Sequence, residues 1–196
     1  MDVHKVFMFL VVNNRGQYVH RIWRSLTYLG VEAKIVPNTI PIEELSGMRP
    51  EGVVLSGGPH SVYRERDSLG VCEDALEADF PVLGICLGHQ VMALHFGGEV
   101  SEGKTAEYAK VDLTVIEEDD LFRGLPRRIS VWESHKDEVV RPPEDFIVLA
   151  ASDICKVEAM KHRKKPIYGV QFHPEVEHTP QGMDILKNFI GVCKCR

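Results

Sequence analysis

The sequence predicts an α/β fold: a single domain on a central, mostly parallel sheet flanked by helices, with additional antiparallel strands in the second half. Three observations lead there. In the first half, short unbroken apolar runs alternate with amphipathic stretches, as doubly buried parallel strands alternate with the helices that cover them. In the second half, strand-like runs follow one another with only Pro- and Gly-bearing turns between them. The chain of 196 residues, 44% hydrophobic and 27% charged, suffices for one sizeable core and shows no linker, repeat or low-complexity segment.

Taken in order, Val3–Val12 reads as a first core strand. Its apolar stretch lacks a small-residue cleavage site and so is not read as a signal peptide. Tyr18, Ile22, Leu26 and Leu29 recur at helical spacing, predicting a helix over Tyr18–Leu29 with Gly30 as its C-terminal cap. Val31–Val36, Gly52–Leu55 and Val82–Ile85 read as parallel strands. Helices are expected over Ser68–Ala78 and Leu87–Phe96. Then Lys110–Ile116, Ile129–Trp132, Phe146–Ala151, Lys156–Met160 and Ile167–Phe172 read as strands, and Gln181–Val192 as a closing helix.

The net charge of -6 and a pI near 5.8 argue against nucleic acid as the main partner, since phosphate binding depends on clustered Lys and Arg. The basic run Lys161–Lys165 is expected to be a solvated loop before Pro166. No segment reaches the roughly 18–20 apolar residues of a membrane span, so no membrane partner is expected. The 5 cysteines are Cys72, Cys86, Cys155, Cys193 and Cys195, an odd, unevenly spaced set without CxxC pairs. They fit reduced thiols in a cytoplasmic setting. Cys193 and Cys195 have no second ligand pair, so no metal is assigned and both are expected in a frayed tail.

The strongest chemical signal is Gly84-Ile85-Cys86-Leu87-Gly88-His89-Gln90, which follows an apolar strand and opens an amphipathic stretch. This G-x-C-x-G pattern has the spacing of a nucleophile elbow: the glycines let strand reverse into helix, and the thiol sits at a helix N-terminus that favours a thiolate. Free cysteines are usually buried and inert; it is the strand-to-helix junction between two glycines that marks Cys86 as a nucleophile. The second signal is Gly169-Val170-Gln171-Phe172-His173-Pro174-Glu175. In extended backbone His173 and Glu175 share a side, so the carboxylate can orient the imidazole as a base requires. A lone member of the 9 histidines would mean little, but with the elbow it completes a Cys-His-Glu triad. The third is Ser56-Gly57-Gly58-Pro59, a turn whose N–H groups can hold an oxyanion. Its likeness to the S-G-G-x-D-S loop of ATP pyrophosphatases fails at His60, and no other nucleotide loop is present.

The GICLGHQ, SGGP and GVQFHPE segments, in this order and spacing, resemble the class I (triad-type) glutamine amidotransferase family along essentially the whole chain. GQYVHRIWRSLTYLGV, AEY at Ala106–Tyr108, VWESHKDEV and PIYGVQFHPEVEHT resemble more specifically the glutaminase subunits of two-subunit, archaeal-type GMP synthases. The resemblance implies that Cys86 is the nucleophile, His173 the general acid/base and Glu175 its orienter. It implies an oxyanion hole from the N–H groups of Gly58 and Leu87, with Gln90 and the Ser134–His135 backbone holding the amino-acid end of L-glutamine. The partner it implies is an ATP-pyrophosphatase subunit that carries ATP and Mg and aminates XMP to GMP; this chain itself needs no cofactor. The loop Asn13-Asn14-Arg15-Gly16 lacks the acidic residue often seen after the family's first strand, and no role is assigned to it. Three rival readings remain: a glutaminase for another synthase, a free-standing γ-glutamyl thiol hydrolase, and a silent regulatory chain. The last usually lacks the Cys or His that this chain retains.

Overall fold

The computed structural model describes residues 8–195, excluding the side chains of residues 104–107. The Val3–Phe7 part of the expected first strand, and the side chains of Ala106 and Glu107 in the AEY stretch, lie outside the described residues. The elements run β1 (Met8–Asn13), α1 (Val19–Tyr28), β2 (Glu32–Pro37), α2 (Ile42–Gly47), β3 (Gly52–Leu55), α3 (Cys72–Glu77), β4 (Val82–Ile85), α4 (Leu87–His95), β5 (Glu99–Glu107), β6 (Lys110–Val115), β7 (Arg128–Trp132), β8 (His135–Arg141), β9 (Phe146–Ala151), β10 (Ala159–His162), β11 (Ile167–Val170) and α5 (Gly182–Lys194).

Nine strands form one sheet in the order β2-β1-β3-β4-β11-β10-β9-β6-β7. From β2 to β11 every pairing is parallel, and from β11 onward every pairing is antiparallel. β5 and β8 pair separately as a two-stranded antiparallel ribbon. Alternation along the strands divides the core. Phe9, Val11, Val54, Leu83, Ile85 and Val170 point to the face covered by Ile22 and Leu26 of α1 and Ile185 and Phe189 of α5. Leu10, Val12, Val53, Leu55 and Val82 point to the face covered by Leu76 of α3 and Val91 of α4. The expected helix over 18–29 ends as anticipated, with Gly30 at φ +82° just past it.

Some readings need correction. α2, β5 and β8 were not expected, because each is short or polar and has no clean apolar period. The strand expected at Lys156–Met160 runs instead over Ala159–His162: Cys155 and Val157 are buried before it starts, behind a turn in which the Ser152 N–H donates to the Cys155 carbonyl (2.8 Å). The basic run is not a loop throughout. Lys161 and His162 belong to β10, where Lys161 pairs with Asp119 at 2.7 Å and the His162 ring accepts the N–H groups of Lys164 and Lys165. Cys193 is not in a frayed tail; it is buried on α5 against the core, while Cys195 is exposed.

Four parallel strands, β1, β3, β4 and β11, end side by side. Their C-terminal continuations are Asn14, Ser56–Gly58, Cys86 and Gln171–His173, so the chemistry-bearing residues converge at one end of the sheet, beyond the carboxyl ends of its parallel strands.

Candidate active site

Cys86 sits between β4 and α4 with φ 51° and ψ −103°, a left-handed strained conformation for a residue with a Cβ. Holding it there costs about 1–3 kcal/mol, which the surroundings must supply. They do so through close backbone contact. A Cβ on Gly84 would lie 2.5 Å from the Gly88 carbonyl carbon, and one on Gly88 would lie 2.4 Å from the Leu55 oxygen. Both elbow glycines are therefore steric necessities. The Cys86 N–H donates to the Val170 carbonyl (2.8 Å), tying the elbow to β11. No side chain caps α4, which leaves its first N–H groups for a ligand.

β11 carries the chain onward to His173, whose N–H donates to the Trp132 carbonyl (3.0 Å) and whose carbonyl accepts from the Thr179 hydroxyl (2.7 Å). Its ring Nδ1 lies 2.8 Å from Glu175 Oε1, and Tyr18 meets the ring edge-on at 4.9 Å. Burial on its own pushes the imidazole down. The Glu175 carboxylate and the interaction with Cys86 outweigh it and hold His173 well above the ordinary 6.5. Cys86, His173 and Glu175 are all buried at the cavity floor. Gly57 packs against the first two: a Cβ there would stand 3.2 Å from His173 Cε1 and 3.5 Å from Cys86 Cβ.

The sequence-predicted residues come together. Gly58, Cys86, Gln90, Ser134, His135, His173 and Glu175 all line one cavity of about 490 Å³, and Leu87 lies behind it as the first residue of α4. Among the described residues no protein acceptor takes the N–H of Gly58 or of Leu87, which is what an oxyanion hole requires of its donors. The Ser134 carbonyl approaches the Cys86 sulfur at 4.0 Å. Gln90 spends its amide hydrogens on the Asp137 carbonyl (2.6 Å) and Gln171 Oε1 (3.2 Å), leaving its oxygen as the atom it can offer a ligand.

Several site residues escaped the sequence reading. Asp137 ties two walls together: its carbonyl takes Gln90 and His135, and its carboxylate takes Ser61 Oγ (2.7 Å) and Tyr63 OH (3.2 Å). Pocket-lining His135 is backed by two further buried groups, Glu133 and Glu158. A carbonyl can only accept, so His135 Nδ1 carries the proton that points at Asp137, and its Nε2 lies 3.1 Å from Glu133 Oε2. Burial, and then the charge and hydrogen bond of Glu133, push Glu158 well above the carboxylate range. The unassigned loop also enters the site. A Cβ on Gly16 would lie 2.3 Å from the Gly57 oxygen, and Asn14 hydrogen-bonds Ser56. The one local signal for this loop was its glycine, three residues past the end of the first strand.

Residues 10–192 match the family described as glutamine amidotransferase class-I. The chain is 56% identical over 190 residues to a subunit of the glutamine-hydrolyzing GMP synthase of Pyrococcus furiosus, covering 95% of this chain and 98% of that one. It is 55% identical over 187 residues to the protein of the same name from Methanocaldococcus jannaschii, covering 95% and 97%. A crystal structure from Thermoplasma acidophilum, provisionally named as the corresponding GMP synthase subunit, superposes with a TM-score of 0.92 at 46% identity, covering 98% of this chain and 96% of that one.

Proposed function

Because the chain belongs to the class-I glutamine amidotransferase family, we propose that it is the glutaminase subunit of a GMP synthase and that Cys86, His173 and Glu175 perform its chemistry. The carrying observation is the buried His173–Glu175 pair at 2.8 Å beside a strained cysteine elbow, with two unclaimed N–H groups in reach. The Cys86 thiolate attacks the side-chain carbonyl of L-glutamine, and the N–H groups of Gly58 and Leu87 receive the oxyanion. His173 gives a proton to the departing nitrogen, so ammonia leaves and a γ-glutamyl thioester remains. His173 then takes a proton from water as it attacks the thioester, releasing glutamate and restoring the thiolate. Each oxyanion donor in such a site is worth about 3–4 kcal/mol. The oxygen of Gln90 accepts the substrate's α-ammonium, and the Ser134–His135 backbone holds the same end.

The partner in this reading is a separate subunit that consumes the ammonia. Its finer assignment is an ATP pyrophosphatase that binds ATP and Mg and aminates XMP to GMP, in a reducing cytoplasmic setting. Residues 1–196 act as one amidotransferase domain, and among the described residues no helix is long and apolar enough to cross a membrane. In this reading the partner docks on the acidic surface and the Ser134–Asp137 segment beside the pocket.

The test compares glutamine hydrolysis by the purified chain alone and with the ATP pyrophosphatase, XMP, ATP and Mg. Stimulation by that partner, with GMP formed, supports the reading. Stimulation by another synthase instead would keep the amidotransferase and discard GMP synthesis. A rate indifferent to any partner would favour the free-standing hydrolase.

A further inference from the structure

The turn after β3 is held from below by a buried polar chain with no redundancy in it. Asn14, Ser56 and Cys72 are each 0% exposed. The Cys72 thiol donates to Asn14 Oδ1 (3.2 Å), the Asn14 side-chain nitrogen donates to the Ser56 carbonyl (2.9 Å), and the Asn14 N–H donates to Ser56 Oγ (3.0 Å). A serine hydroxyl has one hydrogen. Since Ser56 Oγ accepts from Asn14, that hydrogen goes to its other neighbour, the Gly57 carbonyl at 2.9 Å. The direction of every bond in the chain is thereby fixed. Burial pushes the Cys72 thiol up to about 12, so it remains a donor throughout the neutral range.

The end of this chain matters because of what the Gly57 carbonyl shares a plane with. The peptide between Gly57 and Gly58 is trans, and in a trans peptide the C=O and N–H point opposite ways. Holding the oxygen towards Ser56 turns the Gly58 N–H the other way, where no acceptor among the described residues meets it. Two adjacent glycines would otherwise turn this peptide over at little cost. Gly16 presses on the same oxygen from the neighbouring loop.

We infer that Asn14 and Ser56 are positioning residues for glutamine hydrolysis: their buried hydrogen bonds lock the Gly57–Gly58 peptide so that the Gly58 N–H faces the reacting carbonyl. This deepens the proposed function and rests on its assignment of Gly58 as an oxyanion donor. Neither residue touches substrate, and both act through the orientation of one peptide plane. The lock also gives the Asn13–Gly16 loop its purpose, since Asn14 provides two of the bonds and Gly16 the close backing.

Ser56→Ala removes both the acceptor for Asn14 and the donor to Gly57. In the complex with its synthetase partner, kcat for glutamine hydrolysis falls about tenfold to a hundredfold while KM stays within about threefold, because the lost interaction develops in the transition state. Alkylation of Cys86 by iodoacetamide, read by peptide mass, keeps its wild-type rate, since it uses the thiolate and not the oxyanion donors. Ser56→Thr, which retains the hydroxyl, recovers most of kcat. Should the alanine variant lose its fold, Ser56→Cys, a weak donor, gives a smaller loss of the same kind. An unchanged kcat in a folded variant overturns the lock, and so does an equal loss of kcat and alkylation, which would locate the damage at the nucleophile. Crystal structures separate this inference from the function beneath it. If the wild-type chain hydrolyses no glutamine with any partner, the proposed function fails. The lock then stands if the Gly57 carbonyl turns away from its wild-type direction in Ser56→Ala, and falls if it does not.

Discussion

His173 and Glu175, two residues apart in sequence, face each other at 2.8 Å between ring Nδ1 and carboxylate Oε1, with both side chains buried. Nδ1 is committed to the carboxylate, so Nε2 is the atom left for proton traffic with Cys86. Burial lowers the imidazole's affinity for a proton, and the carboxylate with Cys86 more than restores it.

Glu175→Gln should therefore lower the His173 pKa, read by NMR titration of the ring. The sign follows from a folded value raised above 6.5: the pair's stabilisation is fully present below 6.5 and is lost as pH rises through the folded value. The variant's loss in Tm is then largest in mildly acidic buffer and shrinks in alkaline buffer. His173→Ala should cut kcat on the order of 10²–10⁴-fold, and Glu175→Gln by less. Equal losses in two folded variants would argue for direct proton transfer by Glu175.

Thiol labelling should distinguish the 5 cysteines by setting. A glutamine-like chloroketone should modify Cys86 alone, and iodoacetamide should modify Cys86 and the exposed Cys195. Cys72 and Cys155, buried and with thiol pKa values pushed up, and Cys193, buried on the core face of α5, should stay unmodified until the protein unfolds. Chloroketone labelling that survives Cys86→Ala would remove Cys86 from its role.

Alanine at the glycines should separate folding from catalysis. Gly84→Ala and Gly88→Ala place a Cβ 2.4–2.5 Å from backbone atoms that cannot yield, costing about 3 kcal/mol or more. A Tm drop of roughly 6–12 °C follows for a chain of this size. Gly57→Ala meets its nearest neighbour at 3.2 Å, the ring of His173. It should fold with a near-native Tm and still lose most of its activity, as measured by glutamate release.

Much of this was readable in the linear sequence, because the elbow and the His-x-Glu pair are local patterns whose spacing alone carries their geometry. Gly52–Leu55 and Val82–Ile85 were legible as buried strands because their residues are apolar without interruption. β8, His135–Arg141, was not: its charged residues obscure a strand that buries mainly His135 and Val139. Asn14 and Ser56 were illegible for another reason. They are 42 positions apart, and nothing in either segment announces a partner at that distance.

The buried acid beside that strand carries a fourth prediction. Glu158 binds its proton well above the carboxylate range, through burial and then Glu133. A raised folded value means that its contribution is complete below the unfolded pKa of about 4.5 and declines as pH rises through the folded value. Glu158→Gln imitates the protonated form, so its Tm relative to wild type should increase steadily from pH 5 to pH 8. A difference that stays flat with pH would show that Glu158 is ionised in the fold.

Asp137 gives the molecule a mechanical property. The ribbon of β5 and β8 is paired apart from the main sheet. Through Asp137 it grips both the Ser61–Tyr63 loop and Gln90, whose own N–H holds the Cys86 carbonyl at 3.1 Å. A pull on the ribbon is thus delivered to the first turn of α4, one bond from the nucleophile. Through Asp137, the wall that receives the substrate is geared to the helix that carries the thiol.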